Sequence, residues 1–321
     1  MSKELLTIII PVYNVENYVE ECLKTAIIDD EKIKYLIIND GSSDNSLNII
    51  KKQIKNRKNV LLINQENKGL SEARNEGLKY VRSKWVTFID SDDFLDPFRI
   101  EQLITFLEED GNYDLYSLPV MLFDNGEKKV LQNSSNKYKL NKYIYYLMNG
   151  ELQIGVWSYI FKTEIINKNH IRFDKDRLFE DKFFLPKYIS NISEVQSVPA
   201  NKIGYYYYRM RPMSITHKKI NAKRVKDWYD SGKYITHSLS KFNNLDRETI
   251  LAINEYENTI LFRTYIDLLK INKKKEALFV KEEIKRLIVQ DQLKFSLIIF
   301  CKIIITYMPT SIIMYFLNGG K

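Results

Sequence analysis

The sequence predicts an α/β fold, with a mostly parallel sheet flanked by helices and an α-helical C-terminal region. Short apolar runs alternate with helix-periodic stretches through the first hundred residues, which is typical of parallel strands joined by helices. From residue 218 onward, helical spacing of apolar residues dominates instead. The length of 321 residues, with 45% hydrophobic and 28% charged residues, indicates a globular protein of two domains or one large domain.

Four apolar runs in the first half have the length and composition of buried strands. They lie at residues 5–12, 35–39, 60–63 and 85–89. Apolar residues at helical spacing follow each run, at 19–27, 47–54, 73–81 and 97–107, and Pro97 suits the first position of a helix. This alternation predicts a parallel sheet that is covered by helices on both faces.

The fourth strand runs into an acidic turn. Residues 85–89 read WVTFI, and Asp90, Ser91, Asp92 and Asp93 follow at once. Three carboxylates at a strand end crowd like charges together unless a cation holds them or water reaches them. Because ligands bind at the carboxyl ends of strands in open α/β sheets, the turn is a candidate divalent-metal site. A solvated acidic turn that caps the next helix is the alternative interpretation.

The loops after the other three strands also carry polar side chains. They contain Pro11-Val12-Tyr13-Asn14, Asn39-Asp40-Gly41-Ser42 and the segment from Asn67 to Arg74. All of these loops are expected at one edge of the sheet, where Tyr13 offers a flat face to a base, Asp40 an acceptor and Arg74 a phosphate contact. Each motif alone is also ordinary turn chemistry. Their order at successive strand ends favours a shared pocket.

Glu180 and Asp181 form a second acidic feature, flanked by phenylalanines at an expected helix start. A helix N-terminus with favourable acidic charge is one interpretation. A general base is the other, because burial against aromatic rings raises the proton affinity of a carboxylate toward a useful range.

The segments on either side of this feature are less regular. Residues 111–150 are polar, with a hairpin-like turn at 124–127, whereas residues 156–162 form a mixed buried stretch. Residues 205–208 are four consecutive tyrosines, which predict an edge strand with exposed rings.

The last third of the chain is basic. Residues 218–321 hold 19 Lys/Arg and 11 Asp/Glu, so their excess equals the net charge of +8 of the whole chain. A basic surface favours an anionic partner such as a membrane face, a nucleic acid or an acidic polymer. Residues 295–317 are the most apolar, but Lys302 and Pro309 interrupt them, so two short helices are expected rather than a membrane span. These helices either lie in a membrane interface or pack against each other or in a dimer.

The sequence argues against three features: cysteine-based sites, a signal peptide and a dinucleotide-binding fingerprint. Cys22 and Cys301 are far apart, which excludes a disulfide framework or a zinc cluster and favours a reducing compartment. The apolar run at 5–10 is short and ends at Pro11, so no signal peptide is predicted. The first loop lacks the glycine fingerprint of a dinucleotide-binding dehydrogenase.

Four motifs together carry a resemblance to a known family: PVYN at 11–14, NDGSSD at 39–44, NKGLSEARNEG at 67–77 and FIDSDD at 88–93. As an ordered set they resemble the family 2 glycosyltransferases of the GT-A fold, and more narrowly the bacterial enzymes that build capsule, lipopolysaccharide or teichoic-acid glycans. The resemblance covers roughly residues 5–217. It implies inverting transfer of a sugar from a UDP-sugar donor to a glycan hydroxyl, assisted by Mn²⁺ or Mg²⁺.

The resemblance also implies roles for the matching residues. On the donor side, the residues expected around the base, ribose and diphosphate are Pro11, Tyr13, Glu16, Asp40, Asn67, Arg74, Asp90, Arg211 and Ser214. The expected metal ligands are Asp92, Asp90 and His217. On the acceptor side, Asp181 is expected to be the general base, with Glu180 as its acceptor-binding neighbour.

We therefore expect a catalytic domain at 1–217, with a nucleotide-binding half at 1–110 and an acceptor-binding half at 111–217, followed by a basic helical domain at 218–321. The implied acceptor is a lipid-linked cell-surface polysaccharide, which places the chain in the cytoplasm or on the cytoplasmic face of the membrane. No nucleic-acid partner is expected, and a homo-oligomer stays open. The alternative functions are a metal-dependent phosphohydrolase and a non-catalytic module that binds nucleotide or glycan.

Overall fold

The computed structural model of the chain describes residues 4–211, 219–290 and 304–317. Its strands are β1 (Leu6–Val12), β2 (Ile33–Asp40), β3 (Val60–Gln65), β4 (Trp85–Phe88), β5 (Phe94–Leu95), β6 (Leu115–Ser117), β7 (Val120–Asp124), β8 (Glu127–Gln132), β9 (Lys137–Lys139), β10 (Tyr159–Lys162), β11 (Glu194–Ser197) and β12 (Tyr206–Arg209). Its helices are α1 (Val19–Ala26), α2 (Ser46–Gln53), α3 (Leu70–Tyr80), α4 (Arg99–Glu109), α5 (Leu140–Met148), α6 (Thr163–Lys168), α7 (Asp181–Ile189), α8 (Ala200–Ile203), α9 (Ala222–Leu239), α10 (Arg247–Lys270), α11 (Lys274–Gln290) and α12 (Thr310–Leu317).

A mixed eight-stranded sheet with the order β3-β2-β1-β4-β10-β6-β11-β9 forms the centre of the first two hundred residues. The first four strands in this order are parallel to one another, as the strand–helix alternation predicts. Strand β10 runs antiparallel to both of its neighbours, β4 and β6. The loops after the four parallel strands therefore open at one edge of the sheet.

Strand β1 lies in the interior of the large sheet and is buried on both faces. All seven residues of LTIIIPV are buried, as expected for a parallel strand that helices cover on each side. Helix α1 supplies part of this cover, with its apolar residues buried at helical spacing. Alternate side chains of β1 enter two different apolar cores, one containing Ile8 and Ile10 and the other containing Ile9. The sheet therefore separates two cores.

A smaller sheet with the order β5-β12-β7-β8 starts directly after the acidic turn. The hairpin turn predicted at 124–127 is confirmed as the link between β7 and β8, with Asn125 and Gly126 at positive φ. The prediction of an edge strand at the tyrosines was wrong, because β12 pairs with β5 on one side and β7 on the other. Tyr206 and Tyr207 are buried as a result.

Helices α9 and α10 pack onto the sheet-bearing part of the chain. Ile235 and Leu239 of α9 and Ile253 of α10 belong to the same core as one face of the large sheet. Apolar residues at helical spacing are buried along α9 and α10, but Ile250 is 45% exposed. Thr249 and Ile253 carry the buried face in the first turns of α10, and this turns Ile250 outward.

The described part of the apolar C-terminal stretch forms a separate contact with these helices. Ile313 of α12 belongs to a third core together with Tyr265 and Ile284. Ile304 and Tyr307 are exposed. Residues 295–303 of the predicted helix pair lie outside the described residues. No helix in the described ranges combines the length and the apolar character that crossing a bilayer requires.

Helices α9 and α10 cross closely at Gly232, where an added Cβ would lie 2.3 Å from Ile260 Cγ2. Because Ile260 is buried and branched at Cβ, we expect Gly232→Ala to lower the free energy of unfolding by about 1–3 kcal/mol, as measured by urea denaturation. A double-mutant cycle with Ile260→Ala should show a favourable coupling between the two changes. Additive effects would contradict the close crossing.

Candidate active site

The acidic turn lies at the end of β4, between β1 and β10 in the large sheet. Asp93 is buried and accepts hydrogen bonds from the Tyr206 hydroxyl at 2.6 Å and from the Arg209 backbone N–H at 2.8 Å. The Tyr206 hydroxyl oxygen accepts in turn from the Asp90 backbone N–H at 3.1 Å. Tyr206 and Arg209, both on β12, thus hold the two ends of the turn in place.

Arginines from β12 and the segment after it flank Asp92. Its carboxylate pairs with Arg211 Nε, and its backbone carbonyl accepts from Arg209 Nε at 3.0 Å. Burial and the neighbouring Asp90 raise the pKa of Asp92 above its usual value. Burial, together with Asp92 and Asp90, raises the pKa of Asp93 well above its usual value. The turn therefore concentrates negative charge, which a bound cation would relieve.

Arg74 of α3 joins the acidic turn to the second acidic feature. Its side chain is only 1% exposed. One terminal nitrogen donates to Asp90 Oδ1 at 2.7 Å, and the other donates to Asp181 Oδ1 at 3.1 Å and to Glu180 Oε1. A single buried guanidinium therefore gathers carboxylates from the end of β4 and from the start of α7 into one cluster.

Aromatic rings and carboxylates surround the Arg74 guanidinium. Its carbon lies 5.2 Å from the centroid of Phe173 and 5.9 Å from that of Phe88. Burial alone lowers the pKa of Arg74, but Asp90, Asp181 and Glu180 outweigh burial and raise that pKa above its usual value. Arg74 is thus a fixed positive charge. Its predicted contact with a diphosphate stays a prediction, since its bonds in the structure are to carboxylates.

Glu180 and Asp181 lie at the N-terminus of α7, where Glu180 is buried and Asp181 is the first helical residue. Burial raises the pKa of Asp181 well above its usual value, with Arg74 opposing this rise and Glu180 adding to it. A carboxylate with raised proton affinity is suited to accept a proton from a hydroxyl group.

The loops after β1 and β2 are locked to each other. Asn14 Oδ1 accepts from the Ser43 backbone N–H at 2.8 Å, and Glu16 Oε2 accepts from the Asn45 backbone N–H at 2.8 Å. Glu16 thereby fixes the start of α2, a role that the sequence did not indicate. The Tyr13 residue is 49% exposed, so its ring keeps a face open for the predicted stacking.

Asp40 closes the loop that contains Asn67. Its Oδ1 accepts from the Lys68 backbone N–H at 2.8 Å, and its Oδ2 accepts from the Gly69 backbone N–H at 2.8 Å. Gly41 has a φ of +70°, and a Cβ there would lie 2.7 Å from the Asn67 backbone nitrogen, so the position requires glycine. The base contact of Asp40 stays a prediction beside this loop-closing role.

The structure adds residues that the sequence interpretation missed. Tyr206 and Arg209 hold the acidic turn, and Trp157 stacks on Tyr206 and Tyr208 with ring centroids 5.1 and 5.2 Å apart. The signal lay in the tyrosines at 205–208, for which the sequence predicts an exposed edge strand, and in Arg209, which follows them directly. Pro11 is buried near the end of β1, and its predicted place beside the base of the donor stays a prediction.

Of the three predicted metal ligands, Asp90 and Asp92 lie in the described residues. Ser214 and His217 lie outside the described residues. Across the described ranges, no three His, Cys, Asp or Glu side chains converge as a ligand set. Asp90 and Asp92 nevertheless fit a hard divalent cation, because Mg²⁺ and Mn²⁺ prefer carboxylate oxygens and the turn carries surplus negative charge.

Two curated bacterial proteins are similar to this chain. Glycosyltransferase GlyA of Streptococcus pneumoniae serotype 4 is 34% identical over 227 residues, which are 66% of this chain and 31% of GlyA. The uncharacterized glycosyltransferase EpsJ of Bacillus subtilis is 30% identical over 231 residues, which are 66% of this chain and 63% of EpsJ. The chain thus spans about a third of one relative and under two thirds of the other.

A solved structure shares the fold of this chain, and a family model matches more than half of its residues. The crystal structure of S. aureus TarS 1–349 in complex with UDP-GlcNAc superposes with a TM-score of 0.64 at 19% identity, covering 82% of this chain and 81% of TarS 1–349. This likeness confirms the predicted GT-A fold with additional C-terminal helices. The family model described as "Glycosyl transferase family 2" matches residues 7–172, more than half of the chain. The chain therefore belongs to glycosyl transferase family 2.

Proposed function

We propose that this chain transfers a sugar from a UDP-sugar to a hydroxyl of a glycan acceptor, with inversion at the anomeric carbon. The observation that carries this proposal is the bonding of Arg74 to Asp90 on one side and to Asp181 on the other. It brings a strand-end carboxylate suited to the donor and a helix-start carboxylate suited to the acceptor into one cluster. An inverting displacement needs both in one cleft, because the acceptor loses its proton as the donor bond breaks.

The proposed donor is a UDP-sugar, since crystals of the structurally similar TarS hold UDP-GlcNAc or UDP. The half-exposed Tyr13 offers a face on which uracil can stack, and the Asn67 loop lies next to Asp40 and Gly41 at the same sheet edge. Arg211 and the Arg74 cluster then lie on the side of the diphosphate. The proposed acceptor is a lipid-linked cell-surface polysaccharide, as the sequence resemblance implies.

In the proposed mechanism, Asp181 accepts the proton of the acceptor hydroxyl as that oxygen attacks the anomeric carbon. Arg74 keeps the Asp181 carboxylate aimed at the cleft, and Glu180 shares the same guanidinium. Asp92, Asp90 and His217 would hold Mn²⁺ or Mg²⁺, which when bound neutralises the charge that develops on the departing diphosphate. Tyr206 and Arg209 keep the acidic turn rigid for this purpose.

The proposed domain division follows the two halves of this reaction. Residues 1–110 would bind the nucleotide, residues 111–217 would bind the acceptor, and residues 218–321 would form a basic helical domain. The positive excess of that last segment favours the cytoplasmic face of an anionic membrane, where a lipid-linked acceptor would be presented. Ile304, Tyr307 and Ile312 are exposed apolar side chains of the described C-terminal residues and are suited to such a peripheral contact.

The assigned base can be tested with Asp181→Asn, which keeps the shape of the side chain and removes its basicity. We expect the turnover number to fall by about 100- to 10,000-fold, because one general base contributes that much. UDP release from a panel of UDP-sugars, beginning with UDP-GlcNAc and with teichoic acid as acceptor, measures turnover. Calorimetry should show unchanged UDP affinity. Full turnover in this variant would refute the assignment of the base.

The pH dependence provides a second test. Burial raises the pKa of Asp181, and the base must be deprotonated to act, so turnover should increase with pH on the acid side. The midpoint of this increase should lie clearly above the usual aspartate pKa of about 4. Initial rates at saturating UDP-sugar between about pH 5 and pH 9 record the profile. A rate that stays flat down to the acid end would be inconsistent with a buried carboxylate as the base.

The metal site can be tested by binding alone. Asp92→Asn removes a charged oxygen ligand, so the gain in UDP affinity that Mn²⁺ provides should fall by at least about 10-fold. Calorimetry with UDP in Mn²⁺ and in chelator gives this gain directly. The control is Asp114→Asn, which removes a carboxylate paired with Lys162 at the opposite edge of the sheet. An equal Mn²⁺ effect in the wild type and in Asp92→Asn would exclude Asp92 as a ligand.

A further inference from the structure

The segment that carries the proposed base has an unusual backbone. Residues 176–182, here called the base turn, include Asp176 at a φ of +54° and Phe179 at a φ of +61°. Residues other than glycine adopt this left-handed region at a cost, so the surrounding structure must hold them there. The base turn therefore depends on contacts from outside itself.

Helix α9 supplies these contacts from the basic C-terminal segment. Lys223, Asp227 and Asp230 are spaced four and three residues apart, so they lie on one face of the helix. Lys223 Nζ donates to the Asp176 carbonyl at 2.6 Å. Arg177 of the base turn pairs with Asp230 Oδ2 at 2.8 Å and with Asp227 Oδ1 at 3.3 Å.

Asp227 is the centre of this face. It is only 3% exposed, and its Oδ2 accepts from the Leu178 backbone N–H at 3.2 Å and from Lys223 Nζ at 2.8 Å. Its other oxygen accepts from Arg177. A buried carboxylate with three donors bonds the backbone and the side chain of the base turn at once, two and three residues before Glu180. Its removal would take a hydrogen-bond partner from the Leu178 backbone N–H, from Arg177 and from Lys223, of which the two side chains keep one other partner each.

Trp228, the next residue of α9, contacts base-turn residues on both sides of Glu180 and Asp181. The Trp228 ring lies 5.1 Å from the Phe179 ring at 78°, and the Lys182 amine lies 3.5 Å from the Trp228 ring centroid. Among the described residues, this buried amine has no hydrogen-bond partner. Burial, aided by Arg263, lowers the pKa of Lys182 to about 7. The residues on both sides of Glu180 and Asp181 are thus packed against α9.

We propose that Asp227 is a positioning residue for the transfer reaction, which sets the place of Asp181 through the base turn. This inference rests on the proposed function, since it takes Asp181 as the base. Arg74 holds Asp181 from the sheet side, while Asp227 and Trp228 hold the adjoining backbone from the side of α9. The C-terminal helices are then part of the catalytic apparatus as well as a surface for partners.

The test compares two variants that break the same link from opposite sides. Asp227→Asn removes the charge on α9, and Arg177→Gln removes its partner on the base turn, which is one third exposed and so less important for folding. Each should lower the turnover number by about 10- to 100-fold, because a displacement near 1 Å has that effect. The KM for the UDP-sugar and the calorimetric affinity for UDP should stay unchanged, since neither residue lies at the nucleotide loops.

Glu257→Gln is the matched control. Glu257 on α10 pairs with Lys233 of α9 at 2.5 Å, so the change removes another ion pair of α9 without touching the base turn. Its turnover should stay within about twofold of the wild type. Thermal melting of all three variants gives the folded fraction, and turnover is calculated per folded molecule.

Wild-type turnover per folded molecule in Asp227→Asn and Arg177→Gln would overturn the inference. An equal loss in Glu257→Gln would also overturn it, because the effect would then belong to general helix packing. If Asp227→Asn does not fold, Arg177→Gln decides alone. Absence of UDP release by the wild type would remove the proposed function and the inference with it, whereas an active wild type with unaffected variants would remove the inference only.

Discussion

The buried guanidinium of Arg74 is the interaction on which the candidate site depends. It bonds Asp90, Glu180 and Asp181, which come from elements more than ninety residues apart in sequence. Three carboxylates would repel one another in this volume, and burial would oppose the ionisation of each. A single cation with five donors in a fixed plane satisfies several of them and imposes a geometry. Helix α3 thus connects the two acidic features by charge.

One arginine does not neutralise the whole cluster. The pKa values of Asp92, Asp93 and Asp181 are raised first by burial and further by an excess of negative charge from the neighbouring carboxylates. Such an excess lowers stability, and a site that keeps it is suited to a positively charged ligand or to proton transfer. Both uses fit the reaction proposed for this chain, in which a diphosphate departs on one side and an acceptor loses a proton on the other.

Helix α9, which follows residue 218, packs against both the large sheet and the base turn. Ile235 and Leu239 enter the core on one face of the large sheet, which residues of α7 also enter, so α9 packs in the same core as α7. The same helix then presents Asp227 and Trp228 to the residues before and after Glu180. The composition of residues 218–321 predicts a basic surface that binds a partner. In the structure, α9 of this segment also supports the residues around the proposed base.

The amino-acid sequence alone determined the parallel strands, the helix faces and the acidic turn, because periodicity and strand-end polarity are local properties of the chain. It also placed the family, through four motifs in order. Only the tertiary structure decided that β12 is an interior strand, that Asp40 closes a loop and that Asp227 bonds the base turn. Each of these depends on a pairing between distant segments, and the energy of such a pairing is set by the geometry of the folded chain.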